Sequence, residues 1–219
     1  MSKLRMRFSK TGRAVYISHL DLMHTMQRAI SRCGCSLKYS EGFNPHPQIS
    51  IALPLSVGQS SVCEIMDFKL IQEIEPDELK NKLNHSLPEG IKADNIYYSD
   101  NKASEIKWIS VTGSLEFDSG NISLISEDLK NFYAGEHLVI SKKTKRGTAD
   151  FDIKEGFKEL QLEPHDGKVK LSAYISAAEP SFNPDLFVEA LKQLRPEICP
   201  DFAEFMRIEL FDKNMNVFR

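Results

Sequence analysis

The sequence predicts an α+β protein built from two tandem ferredoxin-like (split βαβ) subdomains with mainly antiparallel sheets. Three observations carry this. Short runs of alternating polar and apolar residues separate stretches with helical spacing. In the first hundred residues these follow the order β-α-β-β-α-β. A polar stretch near residue 100 then precedes a second, less regular series. The length of 219 residues suits one large domain or two of about 100 residues each; the element order gives two, 1–98 and 105–219, with a linker at 99–104. An apolar share of 41% with a net charge of only −3 suits a packed core rather than a disordered chain.

Residues Lys3 to Ser9 alternate as a half-buried strand does, which puts Arg5 and Arg7 on its solvent face. Thr11-Gly12 reads as a turn, and Ala14 to Ile17 as a resumed extended run. Ser18 reads as an N-cap, with Asp21 three residues on as in a capping box. Leu22, Met23, Met26, Ala29, Ile30 and Cys33 recur at helical spacing and form one stripe. Gly34 is placed to end that helix in a left-handed conformation. Leu37 to Ser40 is a short strand, and the loop 41–47, with two prolines and a glycine, is stiff and non-helical. Ile49 to Leu55 and Val62 to Leu70 read as strands joined by a turn near Gly58. A helix over Pro76 to Leu87 has proline in its first turn, and Ile91 to Tyr98 returns as a strand.

In the second half, strands are read at Ile106–Phe117, Leu138–Ser141, Phe151–Ile153, Lys168–Ile175 and Met206–Phe211. Helices are read at Ser126–Tyr133 and Pro184–Leu194, the latter starting from Asn183-Pro184-Asp185. No residue-level repeat links the halves, so duplication rests on element order alone.

Several function classes find no support. No run reaches the ~18 apolar residues of a membrane span, and the opening MSKLRMRFSK lacks a signal-peptide core. A cytoplasmic protein with no membrane partner is expected. Of four cysteines, only Cys33 and Cys35 are close, one residue apart rather than two. They read as reduced thiols in and at the end of a helix, so no cluster, no structural zinc and no cofactor in this chain are expected. Walker A, GxGxxG, HExxH and GxSxG patterns are absent.

Charge is unevenly distributed. Residues 1–50 hold eight basic groups against Asp21 and Glu41, a balance of +6 that leaves −9 for the rest. A second basic cluster, Lys142, Lys143, Lys145 and Arg146, sits in acidic sequence. Such surfaces attract phosphate-bearing partners, RNA among them, in a salt-dependent way. Phe151, Phe157, Tyr174 and Phe182 could stack bases, although core packing accounts for them as well.

Two histidines stand out. His19 lies at the mouth of a helix, where the dipole favours a neutral ring; it either contacts a ligand or bonds backbone while Asp21 caps. His46 lies between Pro45 and Pro47, on a loop whose ordering is complete at folding. If both rings meet at one end of the sheet, Lys10, Arg13, Asp21, Lys38, Tyr39 and Asn44 join them in an anion-accepting site extended by Lys142, Lys143, Lys145 and Arg146. Lys10, Arg13 and Lys38 would contact phosphate, and His19, Asn44 and His46 would direct hydrogen bonds. The same two rings, as acid and base, would suit cleavage of an RNA phosphodiester.

The blocks Arg7-Phe8-Ser9-Lys10-Thr11-Gly12, Ile17-Ser18-His19-Leu20-Asp21-Leu22, Tyr39-Ser40-Glu41-Gly42-Phe43-Asn44-Pro45-His46-Pro47, Ala52-Leu53-Pro54-Leu55 and Val57-Gly58 keep their order and spacing. Together they resemble the radical SAM-associated (radical SAM-linked) domain family of unknown function. This bacterial domain occurs fused to radical SAM proteins or as a separate chain. The likeness is close over Leu4 to Leu70. Beyond residue 100 it is loose, through Lys145-Arg146-Gly147 with Asp150 and Asp152. Cys33 and Cys35 depart from the family's pattern. The resemblance implies company with a radical SAM protein, which as the partner would carry the iron–sulfur cluster and S-adenosylmethionine; it brings no reaction with it. The expected function is therefore that of a non-catalytic accessory module, not an enzyme by itself, that binds a substrate or RNA through a basic site. The alternatives are an RNA-processing enzyme using His19 and His46, and a pure protein-docking domain.

Overall fold

The computed structural model describes residues 3–144, 147–178 and 181–219. It is a mixed α+β chain with four helices among the described residues. Two compact units partition it: Met1–Ala103 together with Arg219, and Ser104–Phe218.

The first unit begins with β1 (Lys3–Lys10). A 3₁₀ turn over Gly12–Tyr16 follows, in place of the extended run expected from Ala14 to Ile17. Gly12, at φ +54°, bends the chain out of β1, and Lys10 holds the turn by donating from Nζ to the carbonyls of Val15 and Ile17 at 3.2 and 2.9 Å.

Helix α1 (His19–Arg32) starts at Ser18, whose hydroxyl accepts from the Asp21 amide at 3.2 Å and donates to the Asp21 carboxylate at 2.7 Å. Its buried face is Leu22, Met26, Ala29 and Ile30. Gly34, at φ +75°, ends it. The expected strand at Leu37–Ser40 is reduced to isolated bridges from Leu37 to Leu70 and from Tyr39 to Pro47. The next strands are β2 (Ile49–Ile51) and β3 (Ser60–Phe68), followed by α2 (Pro76–Ser86) and β4 (Ile91–Ser99).

The spatial order is β4-β1-β3-β2, and every pairing is antiparallel. Leu4, Met6 and Phe8 of β1 pack with Leu22, Met26, Ile30, Met66, Phe68, Leu79 and Leu83 in one apolar core. Arg5, on the other face of β1, is fully buried rather than solvent-facing.

The second unit runs β5 (Trp108–Glu116), α3 (Ile122–Ala134), β6 (Val139–Thr144), β7 (Gly147–Asp152), β8 (Phe157–His165), β9 (Lys168–Ser176), α4 (Asp185–Leu194) and β10 (Phe202–Phe211). Its main sheet is ordered β10-β5-β9-β8, and β6 and β7 form a separate hairpin inserted after α3. With that hairpin set aside, both units place their fourth strand beside the first, then the third, then the second. Tyr133, Phe157, Phe182 and Phe187 form an edge-to-face cluster in the interior of this unit. Phe157 and Phe182 are therefore core residues and offer no stacking surface. Among the described residues, no helix is long and apolar enough to cross a membrane.

Candidate functional site

The expected convergence of His19 and His46 does not occur. Register decides it: β1 pairs Leu4 with Phe68 and Lys10 with Ser61. His19 follows the Lys10 end, where Lys10 holds the Ile17 carbonyl. His46 precedes β2, whose first residue, Ile49, pairs with Phe68 and so lies level with Leu4. Lys10 lies six residues along the strand from Leu4, roughly 20 Å at the rise of an extended chain. Acid–base catalysis needs both groups within hydrogen-bond reach of one substrate, so these two imidazoles cannot share a phosphate.

At the Lys10 end, Arg13 is exposed, His19 is half-buried, and Asp21 serves the cap of α1. Lys10 is 1% exposed and bound to backbone carbonyls, which corrects its reading as a phosphate contact. The Gly58 amide donates to Val15 O at 2.9 Å, bringing Val57 beside the 3₁₀ turn. Tyr16, Leu20 and Val57 are exposed at this end.

The opposite end holds Lys38, Tyr39, Asn44 and His46. Three backbone hydrogen bonds build a junction there: Lys38 N–H to Lys69 O (2.8 Å), Lys69 N–H to Gln48 O (3.0 Å) and Gln48 N–H to Lys38 O (2.8 Å). The loop 41–47 closes just beyond it. The Ser40 amide donates to His46 O at 2.8 Å, the His46 amide donates to Ser40 Oγ at 3.1 Å, and Ser40 Oγ bonds His46 Nδ1 at 2.9 Å. Two prolines and this clasp hold the loop in shape, while Gly42 takes φ +123° at its tip. Phe43, next in the chain, is fully exposed, with Tyr39 at 54%.

The two lysines of the junction line one cleft of about 370 Å³, with Leu4, Leu70 and Ile74, the ring of Tyr98 (54% exposed) and the polar groups of Gln72 and Glu73. Among the described residues, neither ammonium has a hydrogen-bond or ion-pair partner. Lys69 also borders a second depression of about 280 Å³ with Lys3, His46 and Asp67.

Lys3 is already engaged, donating to Asp67 Oδ2 and to Asn101 O at 2.7 Å each. Arg5 donates to both Asp67 oxygens, at 2.6 and 2.9 Å. Burial works against the Asp67 carboxylate, but the hydrogen bonds from Arg5 and Lys3 outweigh it and hold its pKa below the usual range.

Sequence reasoning named Lys38, Tyr39, Asn44 and His46 but missed Lys69, Tyr98 and Phe43. Phe43 carried a signal in being a large apolar residue within a proline-bound polar loop. Lys69 and Tyr98 carried none, since their place depends on strand pairing. Lys142 is exposed on the hairpin of the second unit, its ammonium 5.0 Å from the Phe151 ring centroid. Lys143 lies in β6, and Lys145 and Arg146 fall outside the described residues. All four cysteines are free thiols, and burial raises the pKa of Cys35. No group of three or more His, Cys, Asp or Glu residues is placed to hold a metal among the described residues.

An α+β chain with two units of matching strand order and a lysine-lined cleft is the class of protein these features define. The chain belongs to the DUF2344 family, uncharacterized proteins conserved in bacteria, whose model matches residues 3–184. Comparison with curated proteins finds none that matches. Among solved structures, a chain in the crystal structure of a Cbf5-Nop10-Gar1 complex is similar in fold, with a TM-score of 0.51 at 9% identity. That match covers 94% of this chain and 48% of the other, so the chain spans about half the length of its structural relative. The crystal structure of an unknown protein from Galdieria sulphuraria matches with a TM-score of 0.27 and 10% identity, covering 94% and 98% of the two chains.

Proposed function

We propose that this protein is a non-catalytic accessory module that binds a phosphate-bearing ligand, RNA being the class that fits best, on behalf of a radical SAM enzyme in the cytoplasm. One observation carries the binding role: Lys38 and Lys69, unpaired among the described residues, share a cleft with the exposed ring of Tyr98. Two ammonium groups that pair with no carboxylate among the described residues, although Glu73 lines the same cleft, suit an anionic guest. The association with a radical SAM enzyme is supported by the resemblance of the motif blocks between Leu4 and Leu70. On this reading the enzyme brings the iron–sulfur cluster and S-adenosylmethionine, and this chain brings the ligand. We also read each unit as a ferredoxin-like split βαβ, a reading supported by the shared strand order.

The test is binding of total RNA or tRNA at two salt concentrations. Wild type is expected to bind more weakly at the higher salt, and Lys38→Ala/Lys69→Ala to lose binding. Arg13→Ala, at the other end of the unit, is expected to bind as wild type does. Binding that is absent, or indifferent to salt, removes the proposal.

A docking role has its own support in the exposed Tyr16, Leu20 and Val57 at the opposite end. Leu20→Asp is expected to abolish co-purification of the radical SAM enzyme while leaving RNA binding intact; unchanged co-purification would discard that surface.

A further inference from the structure

Phe43 is the most exposed large apolar side chain among the described residues. It stands on a loop clasped at its neck by three Ser40–His46 hydrogen bonds and stiffened by Pro45 and Pro47. The backbone that carries this ring loses little further freedom when a partner covers it, so the position is pre-organised to bind. Tyr39, at the base of the same loop, and Tyr98, on β4, expose further rings. Lys38 and Lys69 line one cleft with Tyr98, and Lys69 also borders the depression that His46 of the loop lines.

From this we infer that the site recognises single-stranded rather than duplex nucleic acid, with an unpaired base stacked on Phe43 and the phosphates beside it held by Lys38 and Lys69. The inference rests on the binding role proposed above. Its physical reason is the separation of the rings on different elements, the loop and β4. Bases in a duplex hide their faces in the stack and their edges in pairing. Only an unpaired strand can splay them onto separate rings while its backbone follows the cations between. An acidic peptide would satisfy the lysines but would leave the ring faces of Phe43, Tyr39 and Tyr98 without flat partners.

The experiment compares fluorescent oligouridylate of about ten nucleotides, a length within the span of one single-strand module, with the same strand annealed to oligoadenylate. Wild type, Phe43→Ala, Phe43→Leu and Lys38→Ala/Lys69→Ala are titrated, with polyglutamate as a competitor. Because Phe43 packs against nothing, its variants are expected to keep the wild-type circular dichroism spectrum.

The single strand is expected to bind roughly tenfold tighter than the duplex, and Phe43→Ala to lose roughly that factor on the single strand alone. Phe43→Leu is expected to behave like Phe43→Ala, since stacking needs a ring and not merely an apolar surface. Equal affinity for both RNAs, a silent Phe43→Ala, or displacement by polyglutamate as effective as by unlabelled oligouridylate would overturn the inference and leave the lysine cleft as a charge-reading site. Failure of wild type to bind either RNA at low salt would bring down the binding role itself.

Discussion

Arg5 shows how a charge is kept inside this protein. Its strand neighbours Leu4 and Met6 face the core, so alternation sends Arg5 to the opposite face, where it is nevertheless 0% exposed. Asp67 meets the guanidinium with both oxygens, and the carbonyls of Asn101 and Arg219 accept from it as well. Removing one partner of a buried pair strands the other, so Asp67→Ala is expected to cost on the order of 3 kcal/mol at pH 7. Because the Asp67 pKa is lowered in the folded protein, its stabilisation is present above the unfolded value near 3.8 and fades as pH falls through the folded one. Urea denaturation is therefore expected to show the gap between wild type and Asp67→Ala narrowing below about pH 4. At Tyr133, whose buried hydroxyl donates to Phe187 O at 2.7 Å, replacement by Phe is expected to cost about 1 kcal/mol by the same measurement.

Elements were legible wherever a local rule governed them. The Ser18 cap, the apolar stripe of α1 and the Gly34 terminus all follow from spacings of a few residues. So does α2, whose buried Leu79 and Leu83 lie four apart. The 3₁₀ turn over Gly12–Tyr16 was not legible, because what holds it is the Lys10 ammonium on two carbonyls and the Thr11 amide bonded to Gly90 O at 2.8 Å. Strand β8 escaped notice because its apolar alternation is broken. It carries a register shift between Lys158 and Gln161, with Glu159 at φ +51°.

Gly90 ties two turns together: it takes φ +85°, and a Cβ there would run into the Thr11 carbonyl oxygen and the Ala14 side chain. Gly58, at φ +90°, has open space around the same position. Gly58→Ala is thus expected to cost about 1 kcal/mol in backbone strain, and Gly90→Ala at least about 2 kcal/mol because the clash adds to it. Thermal unfolding of the two variants distinguishes these outcomes.

On the scale of the whole molecule, a net charge of −3 coexists with a cleft whose two ammonium groups are unpaired among the described residues. Two phosphate contacts on a single strand imply a slope near −1.4 when log affinity is plotted against log salt. Titrations across a salt series are expected to give that shallow slope, and Lys38→Ala or Lys69→Ala alone to flatten it by about half. A much steeper slope would mean that other basic groups, such as those of the β6–β7 hairpin, also engage the ligand.

The sequence by itself placed the four helices of the described residues and most of the strands, though not β8, because capping, turn chemistry and hydrophobic period act over a few residues. It also named Lys38, Tyr39, Asn44 and His46, but as parts of a larger site with Lys10, Arg13, His19 and Asp21. Only the tertiary structure decided that His19 stands at the far end of the sheet from His46, that Arg5 is buried, and that Lys69 comes to lie beside Lys38. Those facts depend on which residue of β3 faces which residue of β1 and β2. Strand register is settled by pairings dozens of residues apart, which no local pattern encodes.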